Sequence, residues 1–427
     1  MRALRNAAAL LVALASPSLL EAQTIAITGG KIYPVSSAPI ENGTVLIRDG
    51  KIVSVGANVT IPADAQRVDA TGKWVTPGLI NAATTLGLVE VSQENQTRDA
   101  SANAGQDHVA AAFTVWEGLN TTSVMIAPAR EDGVTSVVVM PSGGLISGQA
   151  AFLDLVDGTV TDMVVRAPIG MVGEIGNKAS AGVGARGELL VRLREVFEDT
   201  KSYAKRKADF ERAQTRDYSA SRLDLESLIP VVEGLMPLLL RVDKASDIDA
   251  ALKIASEYDL KIMIVGGAEA WMMADRLAAA KVPVLTGAMN NIPGSFSTLG
   301  SRQENAGLLR KAGVTVVLIG NGPGDPDTFG VRNIRQEAGN AVAYGMTWDD
   351  ALRAVTLTPA ELFGVSDRVG TLQAGRAANV VIWGGDPFEL RTLPERVFLR
   401  GKAVERTSRQ EALGRRYKTL PPSYRTP

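Results

Sequence analysis

Val75-Thr76-Pro77-Gly78-Leu79-Ile80-Asn81 is the first of eight short, nearly continuous apolar runs that decide the fold of this 427-residue chain. The runs are separated by stretches of helical or loop character. Runs of this kind are typical of strands that are buried on both faces of a parallel sheet. Eight of them over about 285 residues match the size of a (β/α)8 barrel.

The seven later runs have the same apolar composition. They are Val134–Met140, Ala151–Leu155, Ala167–Gly173, Leu235–Arg241, Lys261–Gly266, Val282–Gly287 and Val314–Asn321. A doubly wound open sheet is the structural alternative, but no glycine-rich turn of the dinucleotide-binding type follows the first run. We therefore predict an α/β fold in which residues 76–360 form a (β/α)8 TIM barrel.

Both ends of the chain have a different, β-rich texture. In residues 23–75, short β-branched runs alternate with turns, and Asp49-Gly50 between two such runs is a strong hairpin signal. Similar runs return after residue 361, as in Val380–Trp383. We expect residues 23–75 and 361–405 to form a small composite β-sandwich, followed by a mobile polar tail at residues 406–427.

The first 22 residues resemble an export signal. Arg2 and Arg5 precede an apolar run from Ala7 to Ala15, which is too short to span a bilayer. A signal peptide at residues 1–22 predicts a periplasmic or secreted protein. No later run is long and apolar enough to predict a membrane span.

The composition excludes several classes of function. The 45 basic residues balance 46 acidic ones, which argues against a nucleic-acid partner bound through phosphates. The chain has no cysteine and one histidine, so one chain cannot build a thiolate site or a multi-histidine zinc site. We interpret His108 as a loop residue, and a role as a lone acid or base is the alternative.

Three stretches resemble the amidohydrolase superfamily, in the order and spacing of that family. They are Val75–Asn81, Ala351–Ala360 and Arg368–Trp383, and the resemblance is greatest to the imidazolonepropionase-like branch. The resemblance implies a metal-bearing (β/α)8 barrel with a composite β-sandwich. It also implies hydrolysis of an amide, ester or cyclic C–N bond, with zinc or another divalent ion as cofactor.

The chain departs from this family where the family carries its metal ligands and its catalytic aspartate. The positions that match the family's ligating histidines and that aspartate hold Ala83, Thr85, Arg241, Gly266 and Asn321. Glu174 stands where the family has a lysine or glutamate. Because Arg241 is a permanent cation, it would repel a metal ion. We therefore expect a degenerate member of the family with no metal and no other cofactor.

Other polar residues follow the predicted strands and could line the pocket of such a barrel. The candidates for catalytic roles are Glu174, Arg241 and Asn321, and those for substrate binding are Lys178, Asp243, Glu269 and Asn290. The three carboxylates among them leave a Mg²⁺ or Ca²⁺ site open as an alternative, which Arg241 disfavours. The Gly- and Ser-rich loop at residues 141–149 could also contact a ligand.

Three functions remain open on these grounds. The first is an exported protein that has lost metal-dependent catalysis and binds a small molecule, or pairs with a catalytically complete relative. The second is a hydrolase of C–N bonds with a metal-free or carboxylate-based site, in which Glu174 is the base and Lys178 or Arg241 stabilises an oxyanion. The third is a structural or interaction protein that uses the charge-dense residues 188–227 or the β-sandwich. A homo-oligomer is compatible with each of them.

Overall fold

The computed structural model describes residues 24–102, 105, 108–176, 183–289, 291–320, 330–406 and 408–418. Its strands are β1 (Ile25–Ile32), β2 (Ile40–Arg48), β3 (Lys51–Gly56), β4 (Gln66–Asp69), β5 (Trp74–Pro77), β6 (Leu79–Thr84), β7 (Val134–Val139), β8 (Ile146–Asp154), β9 (Val164–Glu174), β10 (Leu238–Val242), β11 (Ile262–Gly266), β12 (Val284–Thr286), β13 (Val316–Leu318), β14 (Val380–Trp383), β15 (Pro394–Leu399) and β16 (Lys402–Ala403).

Helices connect most of the consecutive strands from β6 to β14. The α-helices are α1 (Ile126–Glu131), α2 (Val160–Met163), α3 (Arg186–Lys205), α4 (Lys207–Glu211), α5 (Arg222–Val232), α6 (Ala245–Tyr258), α7 (Ala274–Ala279), α8 (Asn305–Lys311), α9 (Ile334–Ala343), α10 (Trp348–Ala354), α11 (Leu357–Leu362) and α12 (Arg409–Tyr417). Short 3₁₀ helices lie at Asn95–Thr97, Val115–Gly118, Ala270–Met273 and Gly330–Asn333. In the described parts of the chain, no helix has the length and apolar character needed to cross a membrane.

Strands β6 to β13 form one eight-stranded sheet in which neighbours in sequence are neighbours in space. The first and last strands of this sheet approach each other, since the amide of Gly320, just after β13, donates to Oδ1 of Asn81 on β6 at 3.4 Å. The sheet is therefore a nearly closed barrel. The predicted α/β barrel fold is therefore confirmed. The parallel strands of the barrel all end at the same side, and we call this end of the barrel the mouth.

One strand of the barrel runs against the others. Strand β8 pairs antiparallel with both β7 and β9, whereas the remaining pairs are parallel. The prediction of a parallel third strand at Ala151–Leu155 was wrong in direction. Strand β8 already begins at Ile146, so only residues 140–145 connect it to β7. A connection between parallel strands needs a dozen or more residues, and so this short one returns the chain antiparallel.

The opening stretch Val75–Asn81 is divided between two sheets. Strand β5 pairs with β1 and β14, while β6 begins the barrel. The division falls at Gly78, where a Cβ atom would lie 2.1 Å from Oγ1 of Thr135. Only glycine therefore lets the chain pass between the two sheets at this point.

The second eight-stranded sheet combines both ends of the described chain. Its order is β16-β15-β14-β5-β1-β2-β3, and β4 also pairs with β1. Trp383 of β14 is fully buried, and its Nε1 donates to Oγ1 of Thr76 at 2.8 Å. Its ring also packs against Gly133, at the start of the barrel strand β7. The indole therefore links this sheet to the barrel.

Residues 408–418 of the predicted tail are described by the structure. Ser408 is buried, and its amide and hydroxyl donate to the two carboxylate oxygens of Glu131 at 2.8 and 2.6 Å. Helix α12 follows directly. A half-buried carboxylate thus contacts the residue that precedes α12, and the mobility of the tail stays a prediction. The predicted signal peptide at residues 1–22 lies outside the described residues.

The charge-dense residues 188–227 lie in the three helices α3, α4 and α5 and in the segments between them. Helix α3 packs against α5 and α6, and its Asp199 is completely buried. Asp199 pairs with Arg216 and accepts the amide of Ser219 at 2.7 Å. Phe197 of α3 also contacts Tyr258 of α6, with ring centroids 5.4 Å apart. This region is therefore folded against the barrel.

The Tyr258→Phe substitution tests this packing through the pH dependence of the free energy of unfolding. Burial, together with the hydrogen bond to Glu198, raises the pKa of Tyr258 to about 12. Tyr258 ionises near pH 10 in the unfolded chain, so the wild-type protein loses stability between pH 10 and 12. We expect Tyr258→Phe to lack this loss, although it is less stable at pH 8 by about 1 kcal/mol. Urea unfolding from pH 8 to 12 measures both effects, with the more exposed Tyr344→Phe as control. Parallel pH curves for wild type and Tyr258→Phe would contradict the prediction.

Candidate functional site at the barrel mouth

Two charged residues face the interior of the barrel side by side at its mouth. Val172 on β9 and Leu239 on β10 belong to the buried core inside the barrel. Glu174 and Arg241 each lie two residues further along the same strands, and therefore on the same face. They are paired in register across these two parallel strands, and both are half-buried. The structure thus brings together two of the residues predicted from the sequence.

Asp243 lies just beyond Arg241 and occupies space that a side chain on the next strand would need. Its Oδ1 accepts the amide of Ala268 at 3.4 Å. A Cβ atom on Gly266 would lie 2.6 Å from the same oxygen, and Gly266 has a φ of +95° that favours glycine. Gly266 is the position that the resemblance matched to a ligating histidine. The positive φ and the position of Asp243 together disfavour a side chain there.

Glu269 uses both carboxylate oxygens to hold the backbone of this chain. Its Oε2 accepts the amide of Ala245 at the start of α6, at 2.9 Å. Its Oε1 accepts the amide of Gly300 at the same distance. The side chain is buried. These contacts join the loop after β10 to the loop after β12, so the structure shows a bracing role, and substrate binding by Glu269 stays a prediction.

The structure does not describe three of the predicted site residues, which are Lys178, Asn290 and Asn321. His108 stands in a loop with a positive φ of 58°, and its carbonyl oxygen accepts the amide of Leu145 at 2.7 Å. The backbone of His108 therefore supports the Gly- and Ser-rich loop that follows β7.

Glu337 is not among the residues predicted from the sequence, and it is completely buried near the mouth. Its Oε2 accepts the amides of Ala288 and Met289, both at 2.6 Å, in the segment that follows β12. In α9, Glu337 shares the buried face of Ile334, Ala338 and Ala341. A glutamate within an apolar pattern of helical period was the available sequence signal.

Asn305 is a second buried polar residue that the sequence did not single out. Its Nδ2 donates to the carbonyl oxygen of Gly267 at 3.0 Å and to Oγ1 of Thr286 at 3.3 Å. Its Oδ1 accepts the amide of Trp271 at 3.0 Å. Asn305 thus holds the ends of β11 and β12 together, and the amide is a structural element of the mouth.

Asn81, Ala83 and Thr85 mark the end of β6, where the resemblance places the first two metal ligands. Asn81 is buried, and its Nδ2 donates to the carbonyl oxygen of Val331 at 3.3 Å. Ala83 offers no donor atom, and Thr85 is buried with a neutral hydroxyl. In its described part, the chain has no group of three or more His, Asp or Glu residues placed to hold a metal ion. With the cation of Arg241 at the same mouth, these residues do not fit the divalent ion that the resemblance implies.

Comparisons with known proteins agree with this architecture. Residues 262–407 match the Amidohydrolase family. The crystal structure of an amidohydrolase from Thermotoga maritima superposes with a TM-score of 0.80 at 28% identity, over 90% of this chain and 100% of that one. An imidazolonepropionase of Mesorhizobium japonicum is 24% identical over 81% of this chain and 87% of its own length.

A third relative is longer than this chain. Amidohydrolase tasK of Hapsidospora irregularis is 22% identical over 84% of this chain, but the match spans only 40% of tasK. Taken with the barrel, these findings show an amidohydrolase fold that carries an Amidohydrolase family domain at residues 262–407. The similarity to imidazolonepropionases is at low identity.

Proposed function

We propose that this chain is an amidohydrolase-fold protein that binds a small polar molecule at the barrel mouth, without metal-dependent hydrolysis. The position of Arg241 directly beside Glu174 in the register of β10 and β9, both on the inner face, carries the proposal. A guanidinium fork recognises a carboxylate through two parallel hydrogen bonds, and a carboxylate accepts N–H donors. The complementary ligand is therefore a small carboxylate that also carries an N–H group.

The side chains at the mouth support a function without a metal ion. An ion at the mouth would lie close to a guanidinium that cannot be deprotonated. The space beside Gly266 on the next strand is occupied by the carboxylate of Asp243, which accepts a backbone amide. One histidine in the whole sequence supplies no imidazole cluster.

Metal content of the purified protein is the first test of the proposal. We expect less than about a tenth of an equivalent of any divalent metal, as isolated and after incubation with Zn²⁺, Mn²⁺ or Mg²⁺, because the mouth lacks a neutralising ligand set. Elemental analysis after gel filtration measures it. One tightly held equivalent would contradict the proposal, and Asp243→Asn and Glu269→Gln would then locate the site.

Ligand recognition is tested with N-acetylglycine, which carries both a carboxylate and an amide N–H. We expect Arg241→Ala to weaken its binding by at least about tenfold, since a charged hydrogen-bonding partner is lost. N-acetylglycinamide, which lacks the carboxylate, should bind equally weakly to both proteins. Isothermal titration calorimetry measures the affinities, and Arg192→Ala, at an exposed arginine of α3, is the matched control. Equal affinity of wild type and Arg241→Ala for N-acetylglycine would contradict this mode of recognition.

A metal-free hydrolase is the second candidate, and the same pairing in register favours it. Glu174 would accept a proton from water, and Arg241 would stabilise the developing oxyanion. Hydrolysis of an amide that falls by about a hundredfold or more in Glu174→Gln would support this candidate. An activity unchanged by that substitution would exclude this mechanism.

We also propose that the protein is exported and that it associates with a second protein chain. The sequence of residues 1–22 supports export to the periplasm or the medium, which cell fractionation with an antibody would test. Pairing with a catalytically complete relative, or with a second copy, would explain the retention of a full barrel without its metal ligands. Light scattering of the purified chain, alone and mixed with such a relative, measures that association.

A further inference from the structure

We propose that a cleft at the opposite end of the barrel from the mouth binds an organic anion with an apolar body. The cleft has a volume of about 460 Å³ and lies where the parallel strands begin. It is lined by the first residues of β9, by the residues that precede β10, β11 and β12, and by the end of α11. Its volume falls within the range of about 300–1,000 Å³ that small-molecule sites occupy.

The floor of the cleft is apolar. Ile169, Met263 and Phe363 line it, and these side chains belong to the core that fills the barrel. Leu235 stands at the edge of the cleft with three quarters of its surface exposed. An apolar ligand body in the cleft would cover Leu235 and rest on the floor, which removes apolar surface from water.

The rim of the cleft is cationic. Lys261 and Lys281 are exposed, and each stands three residues before the paired Ile264 and Val284 of β11 and β12. Lys281 lies in the turn that follows α7, where its amide donates to the carbonyl oxygen of Ala278 at 3.0 Å. Both lysines line the same cleft, so an anion bound there would relieve the repulsion between their positive charges.

Arg166 adds a third positive charge to the rim. Its Nη1 donates to the carbonyl oxygens of Phe363 and Gly364 at 3.3 and 3.1 Å. Gly364 has a φ of +66°, and a Cβ atom there would collide with Nη1 of Arg166, so glycine allows this approach. Carbonyl partners orient the guanidinium and leave its charge unneutralised.

No carboxylate neutralises these cations in the described structure. Among the described residues, neither Lys261, Lys281 nor Arg166 has an acidic side chain within ion-pair distance. Glu361 also lines the cleft, but its carboxylate lies 3.7 Å from Nη2 of Arg353. Three cations above an apolar floor are complementary to a carboxylate or sulfonate that carries a hydrocarbon chain.

Isothermal titration calorimetry with decanoate tests the proposal on the full chain. We expect saturable binding that weakens at least tenfold in the double variant Lys261→Glu/Lys281→Glu. Lys311→Glu, at an exposed lysine outside this cleft, should bind like the wild type. 1-Decanol, which has the same chain without the charge, should bind at least tenfold more weakly than decanoate to the wild-type protein.

Two further measurements test whether decanoate binding depends on the lysine charges and on this cleft rather than on the mouth. The variant Lys261→Gln/Lys281→Gln removes the charges without reversing them, and its circular dichroism spectrum should match that of the wild type. Arg241→Ala should leave decanoate affinity unchanged, because Arg241 lies at the mouth. Absent binding, equal affinity in the double Glu variant, equal binding of 1-decanol, or a loss confined to Arg241→Ala would each overturn the proposal.

Discussion

Replacing Asp154 by alanine is expected to lower the free energy of unfolding by about 3 kcal/mol, because hydrogen bonds to a buried carboxylate are lost. Asp154 ends β8 and its carboxylate is almost completely buried. It accepts hydrogen bonds from Ser136 at 2.8 Å, from Asn379 at 3.2 Å and from Arg400 at 2.9 Å. Asn379 and Arg400 flank strands of the second sheet, so this one carboxylate joins that sheet to the barrel. Its removal leaves a cation and two buried polar groups without their acceptor.

Asp157→Ala is the matched control for this prediction. Asp157 lies three residues further along, pairs with Arg130 and is 94% exposed. We expect its removal to lower the stability by about 1 kcal/mol, because this carboxylate is solvated although Arg130 is only 13% exposed. Urea unfolding followed by tryptophan fluorescence measures both variants. If Asp154→Ala is no less stable than Asp157→Ala, the carboxylate does not join the two sheets energetically.

Replacing Glu337 by alanine is expected to lower the free energy of unfolding by about 3 kcal/mol, since two hydrogen bonds to a buried charged group are lost. The amides of Ala288 and Met289 would lose their acceptor at the mouth. We therefore expect faster amide hydrogen exchange at these two residues. Hydrogen exchange followed by mass spectrometry, together with urea unfolding, measures the two effects.

Glu337→Gln separates charge from shape in this prediction. Glutamine keeps one acceptor oxygen in the same place, so we expect a smaller loss and partial protection of the two amides. Glu304→Ala, at a half-exposed glutamate near the start of α8, should affect neither measurement. Unchanged exchange at both amides in Glu337→Ala would show that other contacts hold the segment after β12.

Much of the barrel could be predicted from the sequence, because buried strands leave apolar runs that are visible without a structure. The third run was harder to interpret. Ser147, Gly148 and Gln149 interrupt its apolar pattern, so the start of β8 was missed and its direction was predicted wrongly. Gly148 is needed because a Cβ atom would lie 2.6 Å from the carbonyl oxygen of Phe113. A tertiary contact therefore overrides strand propensity at this position.

The candidate site was predictable only in part. Because the carboxyl ends of parallel strands meet at one end of a barrel, Glu174 and Arg241 could be expected to lie together. The roles of Glu269, Asn305 and Glu337 could not be expected, since each depends on which backbone amides and carbonyls the fold brings near. Their partners lie between 19 and 49 residues away in the chain.

The sequence by itself determined the class of fold and the supply of chemical groups. Eight apolar runs and β-rich ends specify the layers, and a single histidine limits what any arrangement could build. The tertiary structure decided the direction of β8, the division at Gly78 and the use of Asp243 to fill the space beside Gly266. The physical reason is that composition and periodicity are local properties of the chain. Contacts between distant residues exist only after the sheet has closed.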